Sequence, residues 1–359
     1  MRILFITRKF PPSIGGMEIY SKCLFEAIRH TDSTIDLYKP RRPIVGRPSV
    51  LEIFRFFLGA CLTLLHRGRN YDIVLLGDFA ISGLALVSKI RSVGRARVVV
   101  ALHGNDLYFR RKTGIKSAVY KWMCSLVIRS HAIDVAVANS RTIKAEALEC
   151  GMGNVCVIPL ATAIPPAPDF ATPSRPHIIL YAGRLIRYKG LSWFVEMVWP
   201  RLSAEFALHV AGPIWDQSEL ECLRNKPRIV YLGEIRHDDL HALRRQALAC
   251  IMPNLPPTGS EQNEGFGLAA LESAAVGTPV VASRLGGLAE AVVDGVTGFL
   301  IEPLDADAFV ACINMIADWD EARRRQFATT ARQMIAEKFT WGRVANDYIN
   351  EFKRLTLPG

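Results

Sequence analysis

The chain carries the stretch Glu264-Gly265-Phe266-Gly267-Leu268-Ala269-Ala270-Leu271-Glu272, which decides the fold of its second half. Two glycines allow the backbone to approach a bound group closely, and the Leu- and Ala-rich run after them favours a helix. We expect this helix to begin near Gly267 and to stop at Gly277 and Pro279. The stretch therefore predicts a turn between a strand and a helix.

The spacing of the two glutamates suggests a ligand. With helical geometry, eight residues separate Glu264 and Glu272 by about 12 Å along the axis and return them to roughly the same side. One extended molecule could then contact both carboxylates, while the amides at the helix N-terminus favour a phosphate between them. A nucleotide-sugar has this shape. The alternative is an ordinary turn whose glutamates are solvated.

Other segments favour the ligand-binding interpretation. They are residues 285–300, which follow an expected strand, and Gly183-Arg184-Leu185 with Lys189-Gly190. Together with residues 264–272 they resemble the donor domain of glycosyltransferase family 4, whose members are retaining enzymes of the GT-B fold. The resemblance covers nearly the whole chain. It implies an α/β architecture in which two Rossmann-like domains face each other across a cleft and a C-terminal helix crosses back to the N-terminal domain.

Length and pattern agree with two domains. The chain has 359 residues, half of them hydrophobic, which is enough for two cores. We expect an N-terminal acceptor-binding domain at 1–165, a Pro-rich linker at 166–176, a donor domain at 177–338 and the returning helix at 339–359.

Short apolar runs alternate with helical patterns along both halves, which is typical of βα repeats and a parallel sheet. The segment 53–65 is strongly apolar but too short to span a membrane, so we interpret it as a core helix and leave contact with a membrane surface open. The expected strands are 3–7, 72–76, 97–102, 135–138, 177–181, 206–211, 229–232, 249–252, 279–282 and 299–301.

The family resemblance assigns roles in the donor domain. It implies that Arg184 and Lys189 hold the donor diphosphate, that Glu272 binds the ribose hydroxyls and that Glu264 binds hydroxyls of the donor sugar. The alternative for the two cations is an ordinary surface role at backbone carbonyls. The remaining donor contacts are the backbone amides of Gly265, Phe266, Gly267 and Leu268, and the turn at Ile235 for the base.

The first domain contributes fewer candidates. Gly15 and Gly16 resemble the glycine loop that the family brings near the donor phosphate, although such a pair occurs in many loops. His103 ends an expected strand, at the edge where α/β sheets bind ligands. The resemblance implies that it contacts the donor sugar, while the alternative is a structural histidine.

The resemblance also implies a mechanism with retention of anomeric configuration. The acceptor hydroxyl attacks on the face from which the diphosphate leaves, and a donor phosphate oxygen receives its proton. Fixed cations stabilise the departing charge. We therefore expect no cofactor, no metal and no protein nucleophile; the catalytic candidates are His103, Arg184, Lys189 and Glu264.

Charge and cysteine usage constrain partners and location. Residues 1–170 contain 24 Lys and Arg against 12 Asp and Glu, whereas residues 171–359 contain 20 against 22. A basic first half suits an anionic membrane face or a diphosphate-linked lipid, or is merely a solvated surface. No nucleic-acid module is recognisable. The eight cysteines form no metal-binding pattern, so we expect reduced thiols and a cytoplasmic protein, peripheral on the inner face of the cell membrane if the basic surface binds there.

The function expected is transfer of a hexose-type sugar from a UDP- or GDP-sugar to a hydroxyl of a glycan or lipid-linked acceptor, in synthesis of bacterial surface polysaccharide, lipopolysaccharide or glycolipid. A nucleotide-sugar epimerase and a non-catalytic binding scaffold of the same fold stay open. The loop 253–263 is longer than the family's usual connection. It either contacts the sugar, closes over the cleft as a lid, or is a passive insertion.

Overall fold

The computed structural model describes residues 1–12, 15–40, 49–92, 96–104, 107, 114–166, 177–258 and 264–357. The chain divides into two compact units. Unit 1 comprises Met1–Leu160 and Trp341–Gly359, and unit 2 comprises Ala161–Thr340. The linker predicted at 166–176 lies outside the described residues except for Pro166.

Unit 1 is built on a parallel sheet of six strands in the order β2-β1-β3-β4-β5-β6. The four strands predicted for this half are confirmed to within a residue at each end. The two that the sequence did not indicate, β2 and β6, lie at the sheet edges, where partial burial weakens the apolar signal. The strands are β1 (Arg2–Ile6), β2 (Thr34–Tyr38), β3 (Ile73–Leu76), β4 (Arg97–Leu102), β5 (Val135–Ala138) and β6 (Val155–Val157).

Within the described residues, α-helices connect these strands. They are α1 (Gly16–Arg29), α2 (Val50–Arg67), α3 (Leu84–Ser92), α4 (Ile115–Arg129) and α5 (Arg141–Glu149), with 3₁₀ turns at Gly68–Asn70 and Phe79–Ile81. A capping box starts α2, because the Ser49 hydroxyl accepts from the amide of Glu52 while the Glu52 carboxylate accepts from the amide of Ser49.

The segment predicted as a core helix, 53–65, is helical but buries one face only. Phe56, Ala60 and Leu64 are buried, whereas several large apolar side chains on the other side of α2 are exposed. A helix that lies on one face of a sheet can bury only the stripe that points to the sheet.

Strand order decides which face each helix covers. The chain moves one way from β1 to β2 and the other way from β2 past β1 to β3. Right-handed crossovers then place α1 on one face and α2 to α5 on the other. Alternate strand residues such as Leu4, Ile6, Val74 and Leu76 join buried residues of α2, α4 and α5 in one core.

Unit 2 repeats the architecture with the order β12-β11-β10-β7-β8-β9. All six of its strands were predicted, with ends that differ by one residue at most. They are β7 (Ile178–Ala182), β8 (Ala207–Ala211), β9 (Ile229–Gly233), β10 (Ala249–Met252), β11 (Val280–Ser283) and β12 (Gly298–Ile301).

The helices of unit 2 begin with α6 (Leu191–Trp193), which follows a 3₁₀ turn at Arg187–Lys189 and continues as a π-helix (Phe194–Val198) and a 3₁₀ turn (Trp199–Arg201). The others are α7 (Gln217–Glu221), α8 (His237–Gln246), α9 (Leu268–Ala275), α10 (Leu288–Ala291), α11 (Ala306–Ala317) and α12 (Glu321–Lys338). The helix predicted to begin near Gly267 is α9, and it ends two residues before Gly277.

The last helix, α13 (Trp341–Thr356), belongs to unit 1 and packs against α1. The hydroxyl groups of Tyr20 in α1 and Tyr348 in α13 form a buried hydrogen bond of 2.6 Å. Burial raises the pKa of both tyrosines. The expectation that the C-terminal helix returns to the first domain is therefore confirmed.

Candidate functional site

The unit 2 candidates gather at the carboxyl ends of two neighbouring strands, β7 and β10. The loop after β7 carries Arg184 and Lys189, and the loop after β10 carries Asn254 and leads to Glu264. Gly190 brings the two loops together with a φ of 72°, and a Cβ built on it would overlap the carbonyl oxygen of Pro253. Only glycine fits this approach.

Lys189 and Glu264 form a partly buried ion pair in which the Lys189 ammonium donates to the Glu264 carboxylate. The same carboxylate oxygen accepts a hydrogen bond of 3.3 Å from the Asn254 side-chain amide. The two charged side chains are 12% and 15% exposed. The structure thus brings together two residues that the sequence proposed separately.

Both members of the pair are held in their charged forms. Burial alone would raise the pKa of Glu264, but Lys189, the hydrogen bond from Asn254 and the nearby Arg184 outweigh it, and the pKa is lowered. Burial alone would lower the pKa of Lys189, but the Glu264 carboxylate reverses this effect, and the pKa is raised. A carboxylate fixed in this way can accept hydrogen bonds from hydroxyl groups.

Arg184 is positioned by aromatic neighbours. Its guanidinium lies 4.4 Å from the centre of the Trp215 ring and donates a hydrogen bond of 2.9 Å to the Tyr188 hydroxyl. Trp215 is 63% exposed, so the stacked pair stands at the surface of unit 2. Stacking uses the face of the guanidinium, so the N–H groups at its edge can still donate to an anion.

Residues 265–268 form the turn into α9. Gly267 caps the helix with a φ of 99°, and the Gly287 amide donates a hydrogen bond of 3.2 Å to the Glu264 carbonyl. A Cβ on Gly287 would overlap the backbone of Gly265 and Phe266. The first amides of a helix lack an i−4 acceptor within it. In α9 the Ala270 amide donates to the Gly267 carbonyl at 2.9 Å, which leaves the amides of Leu268 and Ala269 for an anion. Phe266 is itself buried, so its contribution to a ligand is limited to its backbone.

Glu272 has a partner that the sequence did not indicate. Its carboxylate accepts a bond of 2.5 Å from Arg244 of α8, whose side chain is only 1% exposed. Among the described residues, the buried Nε and Nη1 atoms of Arg244 have no hydrogen-bond partner. Only the second half of residues 264–272 is helical, so the two glutamates occupy different surroundings: Glu264 contacts Lys189 and Glu272 contacts Arg244.

Ile235 follows the end of β9 by two residues and is half-buried. The turn before it contains Gly233, with a φ of 72°, whose carbonyl accepts a bond of 2.8 Å from the Gly212 amide. This contact ties the loop after β8 to the loop after β9. The predicted base contact therefore lies at the same carboxyl edge as the other unit 2 candidates.

In unit 1, His103 lies directly after β4. Its Nε2 atom donates a hydrogen bond of 3.0 Å to the carbonyl of Gly77, which follows β3, and its ring packs edge-on against Tyr20 at 4.5 Å between centroids. These contacts fix the orientation of the ring. They suit a structural histidine as well as one that contacts a ligand, so its role stays a prediction.

Gly15 and Gly16 stand at the start of α1, where Gly15 is the residue before the helix. The buried carboxylate of Glu18 folds back toward Gly15 and forms an ion pair of 3.2 Å with Lys9. Ser13 and Ile14 of the same loop lie outside the described residues. A phosphate approaching this loop would meet a carboxylate that is already neutralised by Lys9.

Sequence reasoning missed Asn254, Arg244 and Trp215. Asn254 is buried, and its Oδ1 atom has no hydrogen-bond partner in the part of the chain that the structure describes. No local motif marks these residues, because each becomes relevant only through a neighbour on another element. Residues 259–263 of the long loop lie outside the described residues. So do several basic residues of the first half, namely Arg41, Arg42, Arg47, Arg110, Arg111 and Lys112.

The described ranges were also considered for metal-binding clusters and membrane-spanning helices. No group of three or more His, Cys, Asp or Glu side chains there is arranged to hold a metal ion. No helix there combines the length and the apolar character needed to cross a bilayer. All eight cysteines are free thiols.

Models of known protein families match both halves of the chain. The family model for "Glycosyltransferase Family 4" matches residues 20–162, and that for "Glycosyl transferases group 1" matches residues 176–318. Between them the two models cover most of the chain.

Similar characterised proteins include a glycogen synthase of Mycobacterium tuberculosis, 36% identical over 47% of this chain and 41% of that protein. The chain thus aligns with less than half the length of this relative. A GDP-mannose-dependent mannosyltransferase of Mycolicibacterium smegmatis, which acts on phosphatidylinositol monomannoside, is 24% identical over 94% of this chain and 95% of its own.

Solved structures show the same fold. A sucrose-phosphate synthase from Thermosynechococcus elongatus superposes with a TM-score of 0.75 at 22% identity, over 99% of this chain and 98% of its own. Anabaena HepE, solved in complex with UDP, gives a TM-score of 0.70 at 17% identity, over 99% and 100%. Two Rossmann-like units, each built on a parallel sheet, are the architecture of the GT-B class of glycosyltransferase folds. Within that class, the chain belongs to glycosyltransferase family 4.

Proposed function

We propose that the protein is a retaining glycosyltransferase that moves a hexose-type sugar from a nucleoside diphosphate sugar to a hydroxyl of a glycan or lipid-linked acceptor. The observation that carries this proposal is the partly buried Lys189–Glu264 pair beside Asn254, directly before the N-terminus of α9. It joins a cation, a fixed carboxylate and unpaired helix amides at one sheet edge, which matches a diphosphate linked to a sugar.

Different residues would bind different parts of the donor. The Glu264 carboxylate would accept hydrogen bonds from the donor sugar, and Glu272, held by Arg244, would accept them from the ribose. Arg184, Lys189 and the amides at Leu268 would bind the diphosphate. Their positive charge favours bond cleavage, because negative charge grows on the diphosphate as the sugar leaves.

The proposed reaction balances without a protein nucleophile. The bond between the anomeric carbon and the diphosphate oxygen breaks, and the acceptor oxygen forms a new bond to that carbon on the same face. The acceptor proton passes to a diphosphate oxygen, and a nucleoside diphosphate is released. Glu264 would position the sugar, so its substitution should lower kcat more than donor affinity. Substitution of His103 is expected to lower kcat as well.

Donor and acceptor are proposed only by class. One relative is named for GDP-mannose and one similar structure holds UDP, so both nucleotides stay candidates. A lipopolysaccharide N-acetylglucosaminyltransferase of Salmonella typhimurium, 28% identical over 49% of this chain and 48% of its own, supports a cell-surface acceptor. We propose that the protein acts at the cytoplasmic face of the membrane and requires no metal.

Donor binding is the first test. A nucleotide-sugar at 100 times its Kd should add about 2.7 kcal/mol of stability, which shifts the melting temperature by a few degrees. We expect a shift with UDP- or GDP-sugars, with and without magnesium, that is lost in Arg184→Ala. The matched control is Arg323→Ala, which removes another arginine stacked on a tryptophan of unit 2.

The outcome distinguishes the alternatives. No shift with any UDP- or GDP-sugar in the folded wild type would contradict the proposal in favour of a binding scaffold. Epimerised donor formed without acceptor would contradict it in favour of an epimerase. NMR of the transferred product should show the anomeric configuration of the donor, and an inverted product would contradict the retaining mechanism.

A further inference from the structure

The outward face of α2 carries a continuous apolar stripe. The large residues 51, 54, 58, 62 and 65 recur at intervals of three and four, so they lie along one side of the helix over about 21 Å. All five are exposed, and Phe54 reaches 61%. The stripe residues are Leu51, Phe54, Leu58, Leu62 and Leu65.

This face is the opposite of the one that packs on the sheet. Phe56, Ala60 and Leu64 bury the inner side of α2 in the unit 1 core. An ordinary surface helix would place charged residues on the outer side. Contiguous exposed apolar surface of this kind is uncommon in monomeric proteins and marks an interaction site.

A second helix on the same side of the sheet shows the same feature. Cys124 and Val127 of α4 are buried in the same core as α2. On the outer side of α4, Val119, Trp122 and Leu126 are exposed, with Trp122 at 68%. Tryptophan is enriched where an apolar phase meets water.

The charges beside these stripes are mainly positive. Arg55, Arg67 and Arg69 are exposed on α2 and the turn after it, while its one acidic residue, Glu52, is engaged in the capping box with Ser49. Unit 1 as a whole contains 27 Lys and Arg residues against 13 Asp and Glu residues. A second copy of unit 1 would therefore bring like charges together, whereas an anionic lipid surface complements them.

We propose that the outward face of α2 docks on an anionic lipid bilayer. Its apolar stripe lies at the boundary between headgroups and acyl chains, Arg55, Arg67 and Arg69 contact lipid phosphates, and Trp122 of α4 extends the contact. Membrane binding by α2 does not require the protein to be a transferase. Only the idea that the membrane also holds a lipid-linked acceptor rests on the proposed function.

The test is co-sedimentation of the full chain with vesicles of phosphatidylglycerol and phosphatidylcholine, compared with phosphatidylcholine alone. We expect binding to the anionic vesicles that weakens as salt is raised. Phe54→Gln/Leu58→Gln/Leu62→Gln should weaken it about tenfold or more, since the stripe supplies most of the apolar contact. The control Met197→Gln/Val230→Gln/Met315→Gln changes three exposed apolar residues of unit 2 and should bind like the wild type.

Each other result overturns the inference. Wild type that fails to bind anionic vesicles at low salt contradicts it, as does a triple α2 variant that binds equally well. If sedimentation velocity shows a wild-type dimer that the α2 variant converts to a monomer, the stripe binds a second copy. Donor-induced thermal shifts on the same samples separate the two proposals, because vesicle binding without donor binding contradicts only the transferase, and the reverse contradicts only the membrane surface.

Discussion

The Lys189–Glu264 pair links the charge of the proposed donor site to pH. The pKa of Glu264 is lowered and that of Lys189 is raised, so the pair contributes its full stabilisation between the unfolded values of about 4.3 and about 10.4. Below that window the unfolded glutamate binds a proton before the folded one does. Above it, the unfolded lysine loses its proton first.

We therefore expect the free energy of unfolding to decrease on both sides of this window by more in the wild type than in Lys189→Met/Glu264→Gln. Urea unfolding at a series of pH values measures the free energy of unfolding of both proteins. The other carboxylates titrate alike in the two, so their contribution cancels when one free energy is subtracted from the other. A difference that does not vary with pH would show that the pair is not formed in solution.

Arg244 changes how a substitution of Glu272 must be interpreted. Glu272→Ala leaves a guanidinium that is 1% exposed without its carboxylate, and removal of one partner of a buried pair costs about 3–5 kcal/mol of unfolding free energy. The double variant Arg244→Met/Glu272→Gln should recover most of that loss. Both should lack the donor-induced shift. Donor binding retained in the double variant would contradict the ribose role of Glu272.

At the scale of residues, the sequence indicated only part of the candidate site. Glu264, Glu272, Arg184 and Lys189 were proposed because they belong to local motifs. The contacts of Asn254 with Glu264 and of Arg244 with Glu272 join separate elements, so their importance follows from tertiary packing that no local pattern encodes.

At the scale of elements, the approach of the loops after β7 and β10 depends on Gly190. Gly190 and Gly295 have nearly the same φ, 72° and 73°, but a Cβ on Gly190 would overlap the Pro253 carbonyl, whereas one on Gly295 would have no atom within 4 Å. The two positions therefore separate the cost of a left-handed backbone from the cost of a close approach.

Gly295→Ala should lower the free energy of unfolding by about 1–2 kcal/mol. The alanine must adopt a left-handed backbone conformation there, but its Cβ overlaps no other atom. Gly190→Ala should lower it further and abolish donor binding, since the loops must separate and Lys189 then moves from Glu264. Thermal unfolding with and without donor measures both effects. Equal losses in the two variants, with donor binding intact, would contradict this role of Gly190.

Elements differ in how well the sequence predicts them. The central strands, such as β4 and β10, are buried on both faces and read as apolar runs. The missed edge strands are only partly buried, and β6 has three residues. The apolar content of α2 correctly indicated a helix but not its exposure, because apolar residues directed to the core and away from it look alike in composition.

At the scale of the whole molecule, unit 1 is assembled from two separate parts of the sequence. Deletion of residues 341–359 removes the partner of Tyr20 and exposes the side of α1 that packs on α13. We expect hydrogen exchange to show lost protection in α1 and β1, while α12 in unit 2 keeps its protection. Equal loss of protection in both units would contradict the division into two units.

The order of synthesis follows from the place of α13 in the chain. At about 5–20 residues per second, the ribosome needs roughly 10–40 s to make the stretch Ala161–Thr340. Throughout that interval the nascent unit 1 has the Tyr20 hydroxyl but not the Tyr348 hydroxyl that bonds to it. Unit 2 can thus finish folding while unit 1, which precedes it, is still incomplete, and chaperones would meet an uncovered α1 for longest.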